Sequence, residues 1–364
     1  MQTGLTLAGW SKKIREQSNQ KVDIIAETQQ LAMHVREHND ESKGKLVKPK
    51  VVRYPVIEVF GADKEFPVLP LTHNQIATKL GIPTKYYDRM LREQPDLLAT
   101  NVNTWFKRGG AEKRMLRTLS GSARAFLSNR YQRIDNDRIA EAVLPIIGSL
   151  PGVRIVSCQV TDSRLYIHAV TPSLKGEVKK GDVIQGGVMV SNSEVGLGAI
   201  RASAFDLVLA CLNGMVSSQA YRANHVGRQI EEVGEIEWSD STKHLDDALI
   251  ISKVKDMVTS AVDEVRFKER IRKMRGLADI EVTGDPAKAV EVLSQRVGAS
   301  DEESRSILTH LIKGKDLSAW GLVNAVTSLA HKSKSYDRAV EIEAEGGRLL
   351  DLSRGEWTKV LEAA

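Results

Sequence analysis

Arginine, lysine and aromatic residues are concentrated between residues 104 and 138, where they could bind the phosphates and bases of a nucleic acid. This window contains nine Lys and Arg residues against three Asp and Glu, so its net charge of +6 exceeds the +5 of the whole 364-residue chain. Guanidinium groups neutralise phosphates, and aromatic rings stack on bases. We expect nine residues from this window and from the region after it to contact nucleic acid. They are Arg117, Arg124, Arg130, Tyr131, Arg133, Arg201, Arg222, His225 and Arg228.

Catalytic and metal-binding groups are less evident. Ser191, Asp206 and His225 have the residue types of a hydrolase triad, but no strained nucleophile elbow accompanies them. No glycine-rich phosphate-binding run occurs, and the cysteines and histidines lack the spacing of a zinc site. Asp135 and Asp137 could hold a metal, although capping a helix is their simpler role. The sequence therefore predicts a protein that is not an enzyme, with no catalytic residues, no metal site and no cofactor.

The stretch 181–228 is central to the predicted fold. Its segment 183–190 alternates apolar and small residues and predicts a strand, whereas the apolar run 204–212 predicts a helix over residues 203–216. Two hairpin patterns precede it, with turns at Ser120-Gly121 and at 161–163. These segments predict a sheet covered by helices on one face, which leaves the other face free for a long ligand.

Helical patterns flank this centre. Apolar residues recur at near-helical spacing from Val22 to Glu37, which predicts an amphipathic helix. Residues 71–91 predict two short helices that meet at Gly81, with Thr72 as the N-cap of the first. Such a pair is typical of a structural hairpin and also of a helix-turn-helix that contacts DNA. Residues 242–275 predict one long helix.

The expected fold class is α+β, with a strand-rich central antiparallel sheet covered by helices and a helical C-terminal region. Changes in composition and charge divide the chain into four regions. They are a polar N-terminal arm with one helix (1–50), a strand plus the helix-turn-helix-like hairpin (51–103), a central basic α+β core (104–235) and a helical C-terminal region (236–364).

The expected location is the cytoplasm. No apolar run approaches the roughly 20 residues that cross a bilayer, and the first residues lack the apolar core of a signal peptide. Cys158 and Cys211 both lie in apolar patterns, so we expect two buried, reduced packing residues and no disulfide.

Several motifs in a fixed order resemble one known family. They are FLSNRYQRIDN (126–136), GGVMVSNSEVGLGAI (186–200), LACLNGMVS (209–217), NHVGR (224–228) and WGLVNAVTSLAH (320–331). From about Leu71 to the C-terminus, the chain resembles the phage/plasmid-like protein family, a domain of unknown function found in phages, prophages and plasmids. The resemblance implies a mobile-element protein in a bacterial cytoplasm, with no agreed activity. A fold-level similarity to phage single-strand-annealing proteins, which form rings on DNA, is an analogy only.

We therefore expect a phage- or plasmid-derived homo-oligomer that binds single-stranded DNA in a basic groove, and that anneals or protects strands in recombination or replication. Two alternatives stay open. In the first, the protein is a non-enzymatic structural or host-interaction oligomer whose arginines pair with acidic patches of neighbouring subunits. In the second, it is a hydrolase or nuclease in which Asn192 and His225 are site residues.

Overall fold

The computed structural model describes residues 1–40, 50–61, 64–223 and 239–362. These residues form three antiparallel sheets and twelve α-helices, which confirms the α+β fold class. The first part of the chain contains α1 (Leu7–Gln20), β1 (Lys21–Glu27), β2 (Leu31–Asp40), β3 (Lys50–Val59), β4 (Lys64–Pro67), α2 (Pro70–Lys79), α3 (Thr84–Glu93), α4 (Pro95–Arg108), β5 (Lys113–Leu119), β6 (Ser122–Ser128) and α5 (Asn136–Ser149). The second part contains β7 (Arg154–Val160), β8 (Leu165–Glu177), β9 (Val183–Asn192), β10 (Ile200–Val208), β11 (Gly214–Ala223), α6 (Asp240–Ala261), α7 (Glu264–Ala278), α8 (Pro286–Arg296), α9 (Asp301–Gly314), α10 (Ala319–Ser328), α11 (Tyr336–Leu350) and α12 (Arg354–Glu362).

The segment from Val22 to Glu37 is mainly strand, so the helix expected there is wrong. In this segment β1 pairs with β5 and β2 pairs with β3, both antiparallel. β-Branched residues such as Ile24 and Val35 lose rotamer freedom in a helix but fit a pleated strand. Their pairing with β5 and β3, which are distant in the sequence, therefore overrides the helical spacing. The helix of this region is α1 instead, and its N-cap Thr6 accepts a hydrogen bond from the Gly9 amide.

The predicted pair of short helices about Gly81 is confirmed as α2 and α3. Thr72 is not the N-cap of α2, because Leu69 has that position. The buried Thr72 hydroxyl instead donates a hydrogen bond to the backbone oxygen of Ala123 at 2.8 Å. This bond anchors the helical pair to β6, in the three-stranded sheet of order β1-β5-β6.

The centre of the molecule is a five-stranded antiparallel sheet in the order β11-β10-β9-β8-β7. The helix expected over 203–216 is wrong, because this segment is most of β10, a turn and the start of β11. An apolar run is typical of a buried helix and also of a strand covered on both faces, and periodicity does not separate the two. Here Phe205 and Leu207 belong to one apolar cluster, while Ala202 and Val208 belong to others.

Helices pack on both faces of this sheet, so the expectation of one free face is wrong. On one face, Trp10 of α1, Val143 of α5 and Val254 of α6 share a core with the strands. On the other face, Tyr336 and Val340 of α11 pack against a second set of strand residues. A long ligand could therefore reach this sheet only beside the helices.

The long helix expected over 242–275 is wrong in its length, because two helices, α6 and α7, occupy the segment. The break lies at Val262, and the Asp263 side chain accepts a hydrogen bond from the Arg266 amide as the N-cap of α7. Aspartate is among the best N-cap residues, so it favours a new helix start over continuation. The helices α7 to α12 surround one apolar core, which confirms the helical C-terminal region.

The two cysteines differ in burial. Cys158 of β7 is buried, as expected, but Cys211 is exposed in the turn between β10 and β11, so that expectation is wrong. Both thiols are free. Within the described ranges, none of the helices has the length and apolar character that crossing a bilayer requires.

Candidate nucleic-acid-binding surface

Arg117 lies in a buried ion network, where its side chain is 1% exposed. Its Nε donates to Asp23 Oδ1 at 2.8 Å, and its Nη2 donates to Asp135 Oδ1 at 2.7 Å. Its Nη1 donates to the backbone oxygen of Glu194 at 2.9 Å. Asp135 stands at the N-cap position of α5, as expected, but its carboxylate makes no capping hydrogen bond. This geometry places Arg117 in the core and not on a surface that a phosphate could reach.

Glu194 forms ion pairs with the second buried arginine, Arg124, and with Lys21. Its carboxylate accepts a further hydrogen bond, at 2.6 Å, from the amide of Asn136, the first residue of α5. The unpaired amides and the dipole of a helix N-terminus favour such an anion. Arg124 is thus held inside the fold by an internal carboxylate, as Arg117 is.

Tyr131 and Asn192 belong to the same region. The Tyr131 hydroxyl donates to the backbone oxygen of Ser193 at 2.8 Å, and burial raises the pKa of Tyr131 to about 12. Its ring packs against the apolar cluster that contains Val195. The fully buried Asn192 amide donates to the backbone oxygen of Ile134 at 3.0 Å. These contacts show that both side chains stabilise the fold. The Tyr131 ring is therefore not an open platform for base stacking, and the Asn192 amide is not a free catalytic group.

Arg130 and Arg133 are exposed in the connection between β6 and α5. The Arg133 side chain is 53% exposed, and its Nη1 lies 3.5 Å from Asp23 Oδ2. His225 and Arg228, which we also expect to bind nucleic acid, lie outside the described residues. Four arginines of the nine expected residues are therefore accessible to solvent in the structure. Two are Arg130 and Arg133 in this connection, and two are Arg201 and Arg222 on the central sheet.

The residues of the considered hydrolase triad are not assembled. Ser191 is the cross-strand partner of Arg201, whereas Asp206 lies five residues further along β10 and therefore faces the opposite side of the sheet. The Asp206 carboxylate accepts hydrogen bonds from Nε and Nη2 of Arg270 at 2.6 and 2.9 Å. In the part of the chain that the structure describes, no three His, Cys, Asp or Glu side chains are placed to hold a metal ion.

The register of the central sheet brings Arg201 and Arg222 side by side. Arg201 of β10 and Arg222 of β11 are direct cross-strand partners, so both side chains leave the same face of the sheet. The same row continues through Ser191 of β9 and Tyr166 of β8. Sequence reasoning selected both arginines but could not pair them, because it predicted a helix where β10 and β11 meet.

Two arginines that sequence reasoning missed complete this cluster. Arg164 precedes β8, and its Nη2 donates to the backbone oxygen of Leu197. Arg348 lies on α11 and forms an ion pair with Glu345. No local motif marks either residue, because the two come from separate segments that only the packing of α11 on the sheet brings together. We define the arginine surface as Arg164, Arg201, Arg222 and Arg348.

Most of the arginine surface has no neutralising partner. Among the described residues, no carboxylate lies within the 4.0 Å of an ion pair from Arg164, Arg201 or Arg222. Arg201 Nε is buried and has no hydrogen-bond acceptor within those same ranges. Burial, and then the charges of Arg222 and Arg164, lower the pKa of Arg201. A guanidinium that is desolvated among like charges is destabilised until an anion approaches it.

The fold and this surface define a class of protein: an α+β protein with a helix-covered antiparallel sheet that carries a cluster of four arginines, three of them without an ion pair to a described residue. The chain belongs to the family described as Domain of unknown function (DUF932), which matches residues 124–351. This match begins within β6 and ends just after α11, so it contains the central sheet and the whole arginine surface but begins later than the resemblance suggested. No curated protein matches the chain. No solved structure matches it either.

Proposed function

We propose that this protein binds single-stranded DNA, with the phosphate backbone on the arginine surface. The observation that carries the proposal is the cross-strand pair of Arg201 and Arg222, joined by Arg164 and Arg348. Three of these four arginines have no ion pair within the described ranges. Such a surplus of guanidinium groups is what a phosphate backbone neutralises.

The buried arginines of the same molecule provide an internal comparison. Arg117 and Arg124 each have carboxylates within hydrogen-bond distance. Arg201 and Arg222 instead face each other, and like charges directly opposite on neighbouring strands destabilise a sheet by roughly 0.2–1 kcal/mol. A bound polyanion attracts both guanidinium groups and so offsets their mutual repulsion, which explains why a cluster that destabilises the fold alone would be present.

The half-buried position of Arg201 favours a single strand as the ligand. A flexible single strand can bend its backbone toward a partly recessed guanidinium, whereas the phosphates of a duplex are carried on a stiff rod. We therefore expect the affinity for single-stranded DNA to exceed that for a duplex of equal length.

The resemblance to phage and plasmid proteins supports a wider form of the proposal. In this form the chain is a non-enzymatic mobile-element protein that acts as a homo-oligomer in the bacterial cytoplasm. It anneals single strands, or protects them, during recombination or replication. The family match includes all four arginines of the arginine surface.

The test is the double variant Arg201→Ala/Arg222→Ala, measured by fluorescence anisotropy with a labelled single-stranded oligonucleotide. We expect affinity to fall at least about tenfold, because two charge-assisted contacts are lost. Between about 50 and 200 mM salt, the slope of log affinity against log salt should flatten by about 1.4, since each single-strand phosphate contact contributes about 0.7.

The matched control is Arg296→Ala/Arg305→Ala, which removes the same net charge from the C-terminal helices. Arg296 pairs with Glu356, and Arg305 contacts a backbone oxygen of its own helix. This control should bind as the unaltered protein does. Equal affinity and equal salt slope in both double variants would reject the proposed placement. Assembly of the unaltered protein without any salt-dependent retention of DNA would favour the structural oligomer instead.

The single variant Arg201→Met should be more stable than the unaltered protein in the absence of DNA. Methionine keeps much of the side-chain volume but removes a desolvated charge that faces Arg222. We expect the free energy of unfolding to rise by about 1 kcal/mol. Urea denaturation measures it, and a clear loss of stability would mean that the Arg201 guanidinium is needed by the fold itself.

A further inference from the structure

A second polar site lies on the opposite face of the same edge strand. A cavity of about 180 Å³ lies between β11, the end of α6, α7 and the end of α11. Tyr221 of β11 lines it, whereas its neighbour Arg222 belongs to the arginine surface, so the two side chains leave opposite faces of the strand. We call this cavity the α7 cleft.

Three cations of α7 line the cleft at helical spacing. Arg266, Arg270 and Lys273 lie at positions i, i+4 and i+7, which places them on one face of the helix. Arg270 is held by Asp206, and Lys273 Nζ lies 2.5 Å from Asp351 Oδ1. These two cations are therefore neutralised within the fold.

Arg266 differs from these two cations. Within the described ranges it has no ion pair, and its guanidinium carbon lies 5.6 Å from the centre of the Tyr221 ring. A guanidinium over an aromatic face keeps its outer N–H groups available to an anion. Arg266 is thus an exposed cation of the cleft whose guanidinium makes no hydrogen bond or ion pair to a described residue.

The Tyr221 hydroxyl is the second unused donor. It is buried, and none of the described residues offers it a hydrogen-bond partner. Buried hydroxyls are nearly always paired, so an unpaired one on a residue that lines a polar cavity indicates a missing acceptor. Glu269 is the one carboxylate lining the cleft that makes no ion pair with a described residue, and it opposes a bound anion.

We infer that the α7 cleft binds a phosphate monoester, with Arg266 and the Tyr221 hydroxyl as the groups that contact its oxygens. At about 180 Å³ the cavity is smaller than pockets for whole drug-sized ligands, which begin at roughly 300 Å³, so it suits one phosphate with the adjoining edge of a sugar. The phosphate could belong to a free nucleotide or to the end of a nucleic-acid strand. The inference does not depend on the arginine surface.

The experiment uses the full chain and calorimetric titration with inorganic phosphate and with adenosine monophosphate. Anisotropy measurements compare oligonucleotides that carry a terminal phosphate, at either end, with oligonucleotides that end in hydroxyls. The variants are Arg266→Ala and Tyr221→Phe. The matched control is Lys268→Ala, which removes a charge from the same helix, where Lys268 pairs with Glu264 in solvent.

We expect Arg266→Ala and Tyr221→Phe each to weaken monophosphate binding by roughly tenfold, while the control stays within about twofold. Tyr221→Phe removes an unpaired buried hydroxyl, so its thermal stability should equal or exceed that of the unaltered protein, which separates lost binding from unfolding. Glu269→Gln should tighten binding by a few-fold.

If only the oligonucleotides show a dependence on the terminal phosphate, and the two variants abolish it, the phosphate comes from a strand end. If neither free phosphates nor strand ends bind, or if both variants bind as the control does, the inference is overturned. Arg201→Ala/Arg222→Ala should keep monophosphate binding in the cleft, so failure of this inference and failure of the proposed function are distinguishable.

Discussion

Replacing Arg117 with methionine should lower the free energy of unfolding by about 3–5 kcal/mol, since a buried ion pair that loses one partner leaves an uncompensated charge. Two carboxylates, Asp23 and Asp135, would be left without their shared cation. Methionine fills part of the volume, so the loss is mainly electrostatic. Urea denaturation monitored by circular dichroism measures the change.

The matched control is Arg133→Met, because Arg133 approaches the same Asp23 from the solvent side, at 3.5 Å with 53% of its side chain exposed. An exposed pair of this kind contributes about 0–1 kcal/mol. In the triple variant Arg117→Met with Asp23→Asn and Asp135→Asn, part of the lost stability should return. A loss below about 1 kcal/mol in Arg117→Met would show that the buried network is not needed for the fold.

The pH dependence of stability should change sign at this site. Burial raises the pKa of Asp135, but the charges of Arg117 and Lys21 together lower it by more than burial raises it. The pKa of Asp135 in the folded protein is therefore below its ordinary value. The stability from Asp135 is therefore complete above the ordinary carboxyl pKa and is lost as pH falls through the lowered, folded pKa. In Arg117→Met burial dominates, so that variant should gain stability as pH falls from 7 toward about 5.

Gly187→Ala should be the second large loss, about 3 kcal/mol or more, because the new methyl group has no space between two strands. Gly187 lies in the middle of β9, opposite Val170 of β8. A Cβ there would overlap the backbone oxygen of Ala169 and would lie 2.7 Å from Val170 Cα. Backbone atoms cannot rotate away as a side chain can, so β8 and β9 would have to separate.

Gly276→Ala is the control for this change. Gly276 lies in α7, and a Cβ there would meet nothing within 4 Å. Alanine in a helix interior is favoured over glycine by roughly 0.5–1 kcal/mol, so this variant should be more stable. Thermal melting should show a lower melting temperature for Gly187→Ala and a higher one for Gly276→Ala. An unchanged melting temperature in Gly187→Ala would contradict the close pairing of β8 with β9.

Segments with strong local signals were predictable from the sequence. The turn at Ser120-Gly121 has both residues at positive φ, which is the backbone that a two-residue hairpin requires. Ser318 accepts a hydrogen bond from the Gly321 amide and begins α10, as a serine before an apolar run predicts. In such segments the interactions that decide the structure lie within a few residues.

The errors fall on segments whose structure depends on distant partners. The first half of the run 204–212 became the end of β10, because α11 covers one face of the sheet and other helices cover the second face. The segment 22–37 became strands because β5 and β3 pair with it. Local periodicity contains no information about either partner, and tertiary contacts override weak propensities.

The amino-acid sequence alone was enough to predict the α+β class, the hairpins and the helical C-terminal region, because periodicity and turn chemistry are local. Only the tertiary structure decided which arginines are available to a ligand. Arg117 meets Asp23 across 94 positions of the chain, and Arg124 meets Glu194 across 70. Charge neutralisation depends on distance in space, so a count of basic residues could not separate these buried arginines from Arg201, which pairs with none of the described carboxylates.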